Sequence, residues 1–372
     1  MTAVAVTGMA WTTALGDDLD GVWTKLLAGA TGIAPIASSY TLRNDRAAAI
    51  DSDYARSPRR RLTTMTDGAL RAAAQDAQIS ATRDAKTVFL VIGTSFGARL
   101  DDDGAATEPL DEWVNELAAG VDAIPIALST ACSSGSDAIL LGAELIRSGA
   151  AEVCICGGAD VLGDSKRLAH SALGTMSPAE LRSFDRGRDG TVLGEGAGFM
   201  VLEDARAGKG RPILALLRGC GSANDAAGLT APDEQGEGVR LAVERSLADA
   251  GLTRDQIRLV NAHGSGTPTN DRVESETYGS IFAQTRPLIF ATKGAFGHTL
   301  GATGALEAIA LVLALNTRKV PPIRGLTEPI GGDGCVFARG APAAVEAEFG
   351  LSVTIGFGGF NTSLVFERGA TR

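Results

Sequence analysis

Histidine, cysteine and aromatic residues are scarce in this sequence: three His, five Cys and 5% Phe, Trp and Tyr among 372 residues. The cysteines, at 132, 154, 156, 220 and 335, lack the paired spacing of a disulfide framework, so free thiols in a reducing compartment are expected. No apolar stretch of about 18 residues occurs, and the opening run MTAVAVTGMAWTTALGDDLD carries acidic charge where a secretory leader needs basic charge. Neither a spanning helix nor a leader is expected, and the reading is a cytoplasmic protein with no membrane partner. Basic residues are outnumbered, 34 Lys and Arg against 44 Asp and Glu, and the net charge of −10 argues against nucleic acid as a partner. Ligand spacings such as HExxH are missing, so no metal is expected.

What is present is apolar residues at 45% and 47 glycines, enough for a large buried core with many tight turns and close backbone approaches. Short β-rich runs at 4–6, 88–92, 153–156, 259–261 and 288–290 are each followed by a helical pattern, which means α/β. The segment 136–147 (SDAILLGAELIR) has apolar residues at helical spacing, whereas 305–315 (ALEAIALVLAL) is apolar almost all round, as a fully buried helix is. Each follows a glycine-containing turn rich in polar residues, STACSSG and KGAFGHTLGATG, so the two are read as central helices of two related halves. The expected division is 1–224 and 225–372, with neither half able to stand alone.

Cys132 sits where the strand-like run 124–128 meets a helix beginning near Ser134. A thiol there faces unpaired N–H groups and the positive helix end, which favour a thiolate nucleophile; the alternative is a buried Cys packing as a small hydrophobe. Two of the three histidines, His263 and His298, occupy Gly-rich turns directly after strand-like segments, while His170 does not. Taken singly, such histidines are structural or solvated; two of them with a poised Cys point to a Cys-His-His site. Cys154 and Cys156 alternate on a strand and read as core. The run GEGAG at 194–198 leads into a strand, whereas a dinucleotide-binding glycine motif opens a helix.

TACSSG, DGTVLGEGAG, NAHGSGTPTND with Glu274 following, TKGAFGHTLGATGALEA and IGFGGFNTSLVFE occur in that order. On these blocks the chain resembles the elongating β-ketoacyl-[acyl-carrier-protein] synthases of fatty acid and polyketide biosynthesis, across most of its length. The resemblance implies a thiolase-like α/β fold, five layers αβαβα built from two similar halves with mixed sheets. It implies that Cys132 takes the acyl group, that the backbone N–H groups of Cys132 and Phe357 form an oxyanion hole, and that His263 and His298 flank a malonyl thioester. It further implies that Lys293 pairs with Glu274, that Ser265 and Thr267 hold the pantetheine arm, and that Gly356-Phe357-Gly358 gates the acyl pocket. No cofactor is implied, because phosphopantetheine arrives on the acyl carrier protein; the other implied partner is a second subunit, identical or of chain-length type.

Several positions depart from the family pattern. The stretch between Gly97 and Cys132 is short, Ser265 replaces the usual threonine, Thr191 stands in place of an aromatic residue, and Phe296 and Phe360 replace smaller residues. The short stretch leaves oligomer geometry and chain-length control open, and the four substitutions, which fall around the acyl and pantetheine sites in the family pattern, suggest specialised polyketide or polyene synthesis. Arg59, Arg60 and Arg61 match the carrier-docking region of the family, although such a run is also what a solvated face looks like. Two other functions compete with condensation: a Cys-His acyltransferase that does not decarboxylate, and a non-catalytic chain-length subunit, which would lack the nucleophile.

Overall fold

A computed structural model describes residues 3–50, 57–79, 87–101, 112–207, 212–331 and 334–369. The first half runs β1 (Val4–Thr12), α1 (Leu19–Leu27), α2 (Pro58–Asp76), β2 (Val88–Gly93), α3 (Glu112–Ala119), β3 (Ile124–Leu128), α4 (Ser134–Arg147), β4 (Val153–Asp160), α5 (Asp164–Ala172) and β5 (Gly196–Asp204). The second runs β6 (Ala215–Asn224), α6 (Glu237–Ala250), β7 (Ile257–Asn261), α7 (Pro268–Ile281), β8 (Leu288–Phe290), α8 (Lys293–Phe296), α9 (Thr303–Thr317), β9 (Phe349–Ile355) and β10 (Phe360–Arg368).

Strand order is β3-β2-β4-β5-β1 in the first half and β8-β7-β9-β10-β6 in the second. In both, the first three strands of that order are parallel and the last two antiparallel. Each half therefore lays down its third, second, fourth, fifth and first strands in the same sequence. The two sheets touch edge to edge where Val4, Ala5 and Val6 pair with Leu217, Leu216 and Ala215. The repeat starts at β6, so the joint between halves lies before Ala215 and not after residue 224.

Helix α2 covers the outer face of the first sheet, α6 that of the second, and α4 and α9 pack together between the sheets. Strands enclosed on both faces are apolar or small almost throughout, and every residue of β4 and β9 is buried, Asp160 at the end of β4 being the charged exception. The same reasoning explains α9, which is buried from Thr303 to Leu315 on all sides. By length and composition Leu300–Thr317 would suit a bilayer, but it lies inside the protein. Truncating one of its large apolar side chains, Leu306 for example, is expected to cost about 2–5 kcal/mol through lost burial and the cavity left behind.

The two middle helices approach so closely that their glycines are obligatory. A Cβ on Gly135 would lie 2.9 Å from the Gly301 carbonyl oxygen, and one on Gly304 would lie 1.8 Å from Ser136 Oγ. The likeness extends to single residues: 3₁₀ turns, Ala131–Ser133 and Leu300–Ala302, precede α4 and α9, and their first residues have φ of 52° and 51°. Left-handed φ at a non-glycine residue carries strain, and here it recurs at matched positions.

Candidate active site

Cys132 is the middle residue of the first of these turns and is 4% exposed. The hydroxyls around it hold the turn rather than face a substrate. Ser134 Oγ donates to the Ala131 carbonyl at 2.6 Å and accepts from Thr130 N at 2.9 Å, and Ser133 Oγ reaches the Phe360 carbonyl at 2.8 Å. Asp137, in the first turn of α4, accepts from Thr130 and Thr362 hydroxyls at 2.5 Å each, tying the turn to β10. Burial pushes the Cys132 thiol up to about 11, against the downward pull of the Phe357 N–H bonded to its sulfur and of the Lys293 charge. Burial outweighs the local donors, so the resting residue is a thiol and not the thiolate expected from the helix end alone.

His263 follows β7, and its loop hangs from α7. Glu274 accepts from His263 N at 2.8 Å and Gly264 N at 2.6 Å, while Asn270 and the Tyr278 hydroxyl, each at 2.8 Å, complete its carboxylate. Burial, helped by Asp271, pushes this carboxyl up to about 7. Lys293 was expected to pair with Glu274. It pairs instead with Glu307 of α9, Nζ to Oε1 at 2.5 Å, both groups 1% exposed, and also bonds the His263 carbonyl and His263 Nδ1, the latter at 3.2 Å. Burial pushes Glu307 up to about 8 in spite of that lysine.

His298 is pinned through its backbone to the DGTVLGEGAG segment: its N–H donates to Val192 O at 2.7 Å and its carbonyl accepts from Gly194 N at 2.9 Å. Its Nδ1 accepts the Leu300 N–H at 3.1 Å. Since Nδ1 of His263 faces an ammonium and Nδ1 of His298 faces an amide N–H, each neutral ring must carry its proton on Nε2. Burial first, and the Lys293 charge second, hold both imidazoles well below the usual histidine range, so both are neutral at pH 7. The rings meet edge to face with centroids 5.3 Å apart.

Cys132, His263 and His298 open on one cavity of about 230 Å³, together with Ser265, Thr267, Thr191, Gly356 and Phe357. Ser265 and Thr267 hydroxyls bond each other at 2.9 Å on its wall. Residues Phe296, Gly358 and Phe360 do not line this cavity: Phe296 is buried edge-on against Trp11, centroids 5.7 Å apart, and Phe360 is 37% exposed at the start of β10. Arg61 is also corrected. It is 7% exposed and paired with Glu195 at 2.6 Å, so it ties α2 to the interior and cannot meet a partner. Arg59 reaches Glu116 of α3 at 3.2 Å, and Arg60 is exposed. Within the short stretch between Gly97 and Cys132, residues 102–111 lie outside the described residues.

Two residues were missed. Glu307 is the single charge in an otherwise apolar helix, and a buried carboxylate needs a buried cation; that signal was in the sequence. His170 lines the cavity and stacks on Phe357, centroids 5.6 Å apart at 25°; it follows no strand and had no signal.

Models of two domains match the chain: "Beta-ketoacyl synthase, N-terminal domain" over residues 1–111 and 116–207, and "Beta-ketoacyl synthase, C-terminal domain" over 214–327. The chain is 34% identical to the 3-oxoacyl-[acyl-carrier-protein] synthase 2 of Vibrio harveyi, over 98% of each chain. Among solved structures it is similar to a β-ketoacyl synthase from Burkholderia phymatum STM815 (TM-score 0.86, 30% identity, 99% and 100% covered). It is also similar to the ishigamide ketosynthase/chain length factor (TM-score 0.91, 25% identity, 99% of each covered).

Proposed function

The chain belongs to the β-ketoacyl synthase family, enzymes of condensation in fatty acid or polyketide synthesis, and from that premise we propose which residues carry each step. The Cys132 sulfur attacks the acyl thioester carbon; its carbon–sulfur bond forms, the carrier thiol departs and takes the proton. Malonyl thioester then enters beside His263 and His298. Its carboxyl bond breaks, CO2 leaves, and the electron pair moves onto the thioester oxygen as an enolate. Two neutral Nε2–H donors match that developing charge and need no reorganisation when it appears. The enolate carbon attacks the Cys132 thioester, the tetrahedral oxyanion is held by the N–H groups of Phe357 and Cys132, and collapse expels the thiolate, which regains a proton from water.

The observation that carries this assignment is the pair of Nδ1 acceptor contacts, which leave both histidines the same proton to offer. A plain acyltransferase needs one imidazole as base, not two donors, and a chain-length subunit needs no nucleophile. Lys293 with Glu307, and Glu274 separately, act as positioning groups for the His263 loop. Ser265 and Thr267 hold the pantetheine arm, and the Gly356–Gly359 turn, with φ of 80° and 79° at Gly358 and Gly359, gives Phe357 the freedom to gate. The acyl carrier protein is the carrier substrate, and Arg60 is the docking cation left by the corrected Arg61. Edge strand β3 exposes Ile124 (48%), Phe96 (54%) and Leu100 (44%) in the segment after β2 are exposed as well, and this edge is where a second subunit of the same fold pairs.

The test is to follow CO2 release and the mass on Cys132 with malonyl carrier protein and an acyl donor. Condensed product is expected, and Cys132→Ala abolishes it while retaining decarboxylation. Acyl transfer with no CO2 release under any donor overturns the assignment.

A further inference from the structure

One wall of the cavity carries polar groups that the condensation chemistry does not use. Thr191 is 2% exposed, lines the cavity, and its Oγ1 has no hydrogen-bond partner among the described residues. A buried hydroxyl left unpaired is costly, and where it borders a substrate cavity the missing partner is sought in the substrate. Its backbone is tied to the neighbouring wall: Thr191 N donates to Thr175 O at 2.8 Å, and Ser177 N donates to Thr191 O at 2.8 Å.

Thr175 in turn fixes His170. With the Thr175 hydroxyl donating to the His170 carbonyl at 3.1 Å, its 3.0 Å contact with His170 Nδ1 is one in which it accepts. His170 therefore carries its proton on Nδ1 and leaves Nε2 as an acceptor, the reverse of the tautomer at His263 and His298. Burial, with Lys166, holds this ring down to about 4, so it stays neutral. Stacking on Phe357 fixes the ring plane.

We infer that His170 Nε2 and Thr191 Oγ1 form a substrate-selecting subsite for a neutral group that both donates and accepts a hydrogen bond, either a hydroxyl on the acyl chain or a secondary amide of its carrier arm. The inference rests on the ketosynthase assignment of this cavity and adds two specificity residues to it. A charged carboxylate is a poor fit, because His170 Nε2 offers a lone pair and no proton. A saturated chain leaves the Thr191 hydroxyl unpaired.

The experiment measures acylation rates of Cys132 by intact mass with butyryl-pantetheine, 3-hydroxybutyryl-pantetheine and an amide-free butyryl thioester of mercaptoethanol. Wild type is compared with Thr191→Val, Thr191→Ser and His170→Phe, the last keeping an aromatic ring against Phe357. If the acyl hydroxyl is the ligand, the 3-hydroxybutyryl to butyryl ratio falls about tenfold in Thr191→Val and His170→Phe and is kept in Thr191→Ser. If the arm amide is the ligand, both pantetheine rates fall together about tenfold relative to the amide-free thioester. Ratios unchanged in both Thr191→Val and His170→Phe overturn the subsite. Wild type that acylates with none of the three overturns the ketosynthase assignment itself, and the subsite with it.

Discussion

The tautomers of His263 and His298 make the pH dependence of decarboxylation a direct test of the site. With Cys132→Ala removing acyl transfer, CO2 release from malonyl carrier protein reports the enolate-forming step alone. An imidazole of ordinary pKa, about 6.5, is half neutral at pH 6.5 and about one-tenth neutral at pH 5.5, so a step needing one such neutral ring slows about fivefold over that interval, and one needing two slows about thirtyfold. Here burial and the Lys293 charge hold both rings well below that range, and the rate should change less than about twofold. The sign is fixed: a lowered histidine pKa preserves the neutral donor as pH falls. Glu307, raised to about 8, is protonated throughout the window, whereas Glu274, raised to about 7, still titrates at its upper end, an inflection that the His298 variant would keep. His298→Ala should lower the rate about 10²- to 10³-fold at every pH in the window, the usual loss of one enolate-stabilising donor. An inflection near pH 6.5 that disappears in the His298 variant, or a rate that rises on acidification, would show an imidazolium at work and refute the tautomer argument.

Three further outcomes are expected. Lys293→Met should cost about 1–3 kcal/mol in urea unfolding by leaving Glu307, protonated and buried, without its hydrogen-bond partner, and adding Glu307→Leu should recover most of that stability without restoring decarboxylation; a double variant as unstable as the single one would contradict the pairing. Iodoacetamide labelling of Cys132 in the free enzyme should rise about tenfold per pH unit from 7 to 9, as for a thiol near 11; a plateau by pH 8 would show a resting thiolate. Arg61→Ala should lower the thermal midpoint, because Glu195 loses its buried partner, whereas Arg60→Ala should leave the midpoint in place and weaken carrier binding in a salt-dependent way; equal midpoints in the two variants would contradict the division between them.

What the sequence made legible was whatever depends on local pattern. Cys132, His263 and His298 were readable because each combines a reactive side chain with a strand end and a glycine turn, and the buried helix 305–315 was readable from its lack of a polar face. Pairings across the fold were not readable. Glu274 and Glu307 are both carboxylates within reach of Lys293 by order of motifs, and only the packing of α9 against the His263 loop selects Glu307. Arg61 looked like its neighbours Arg59 and Arg60, yet helical periodicity turns it inward onto Glu195, about one-quarter turn from its neighbour in the chain. The joint at Ala215 depends on β6 pairing with β1, a contact between residues more than two hundred positions apart. His170 reaches the cavity only because Thr175 and Phe357 fix its ring.

The duplicated architecture explains why chemistry is divided as it is. Thr130-Ala131-Cys132-Ser133-Ser134-Gly135 and Thr299-Leu300-Gly301-Ala302-Thr303-Gly304 are matched in strain, turn and following helix, so Cys132 and Gly301 occupy equivalent positions. Both cannot be nucleophiles, because the two middle helices meet there. A Cβ on Gly301 would lie 2.5 Å from Ser95 N, and the Gly301 N–H is already held at 3.0 Å by Asp160, which also accepts from Ser95 N at 2.8 Å. The second half gives up a side chain at this position and by that close approach brings the turn bearing His298, three residues earlier, against the sulfur of the first half. Gly301→Ala should therefore separate the imidazole from the thiol while leaving both present, losing condensation more than it loses Cys132 acylation; equal loss of both steps in a folded variant would show that the glycine serves packing alone.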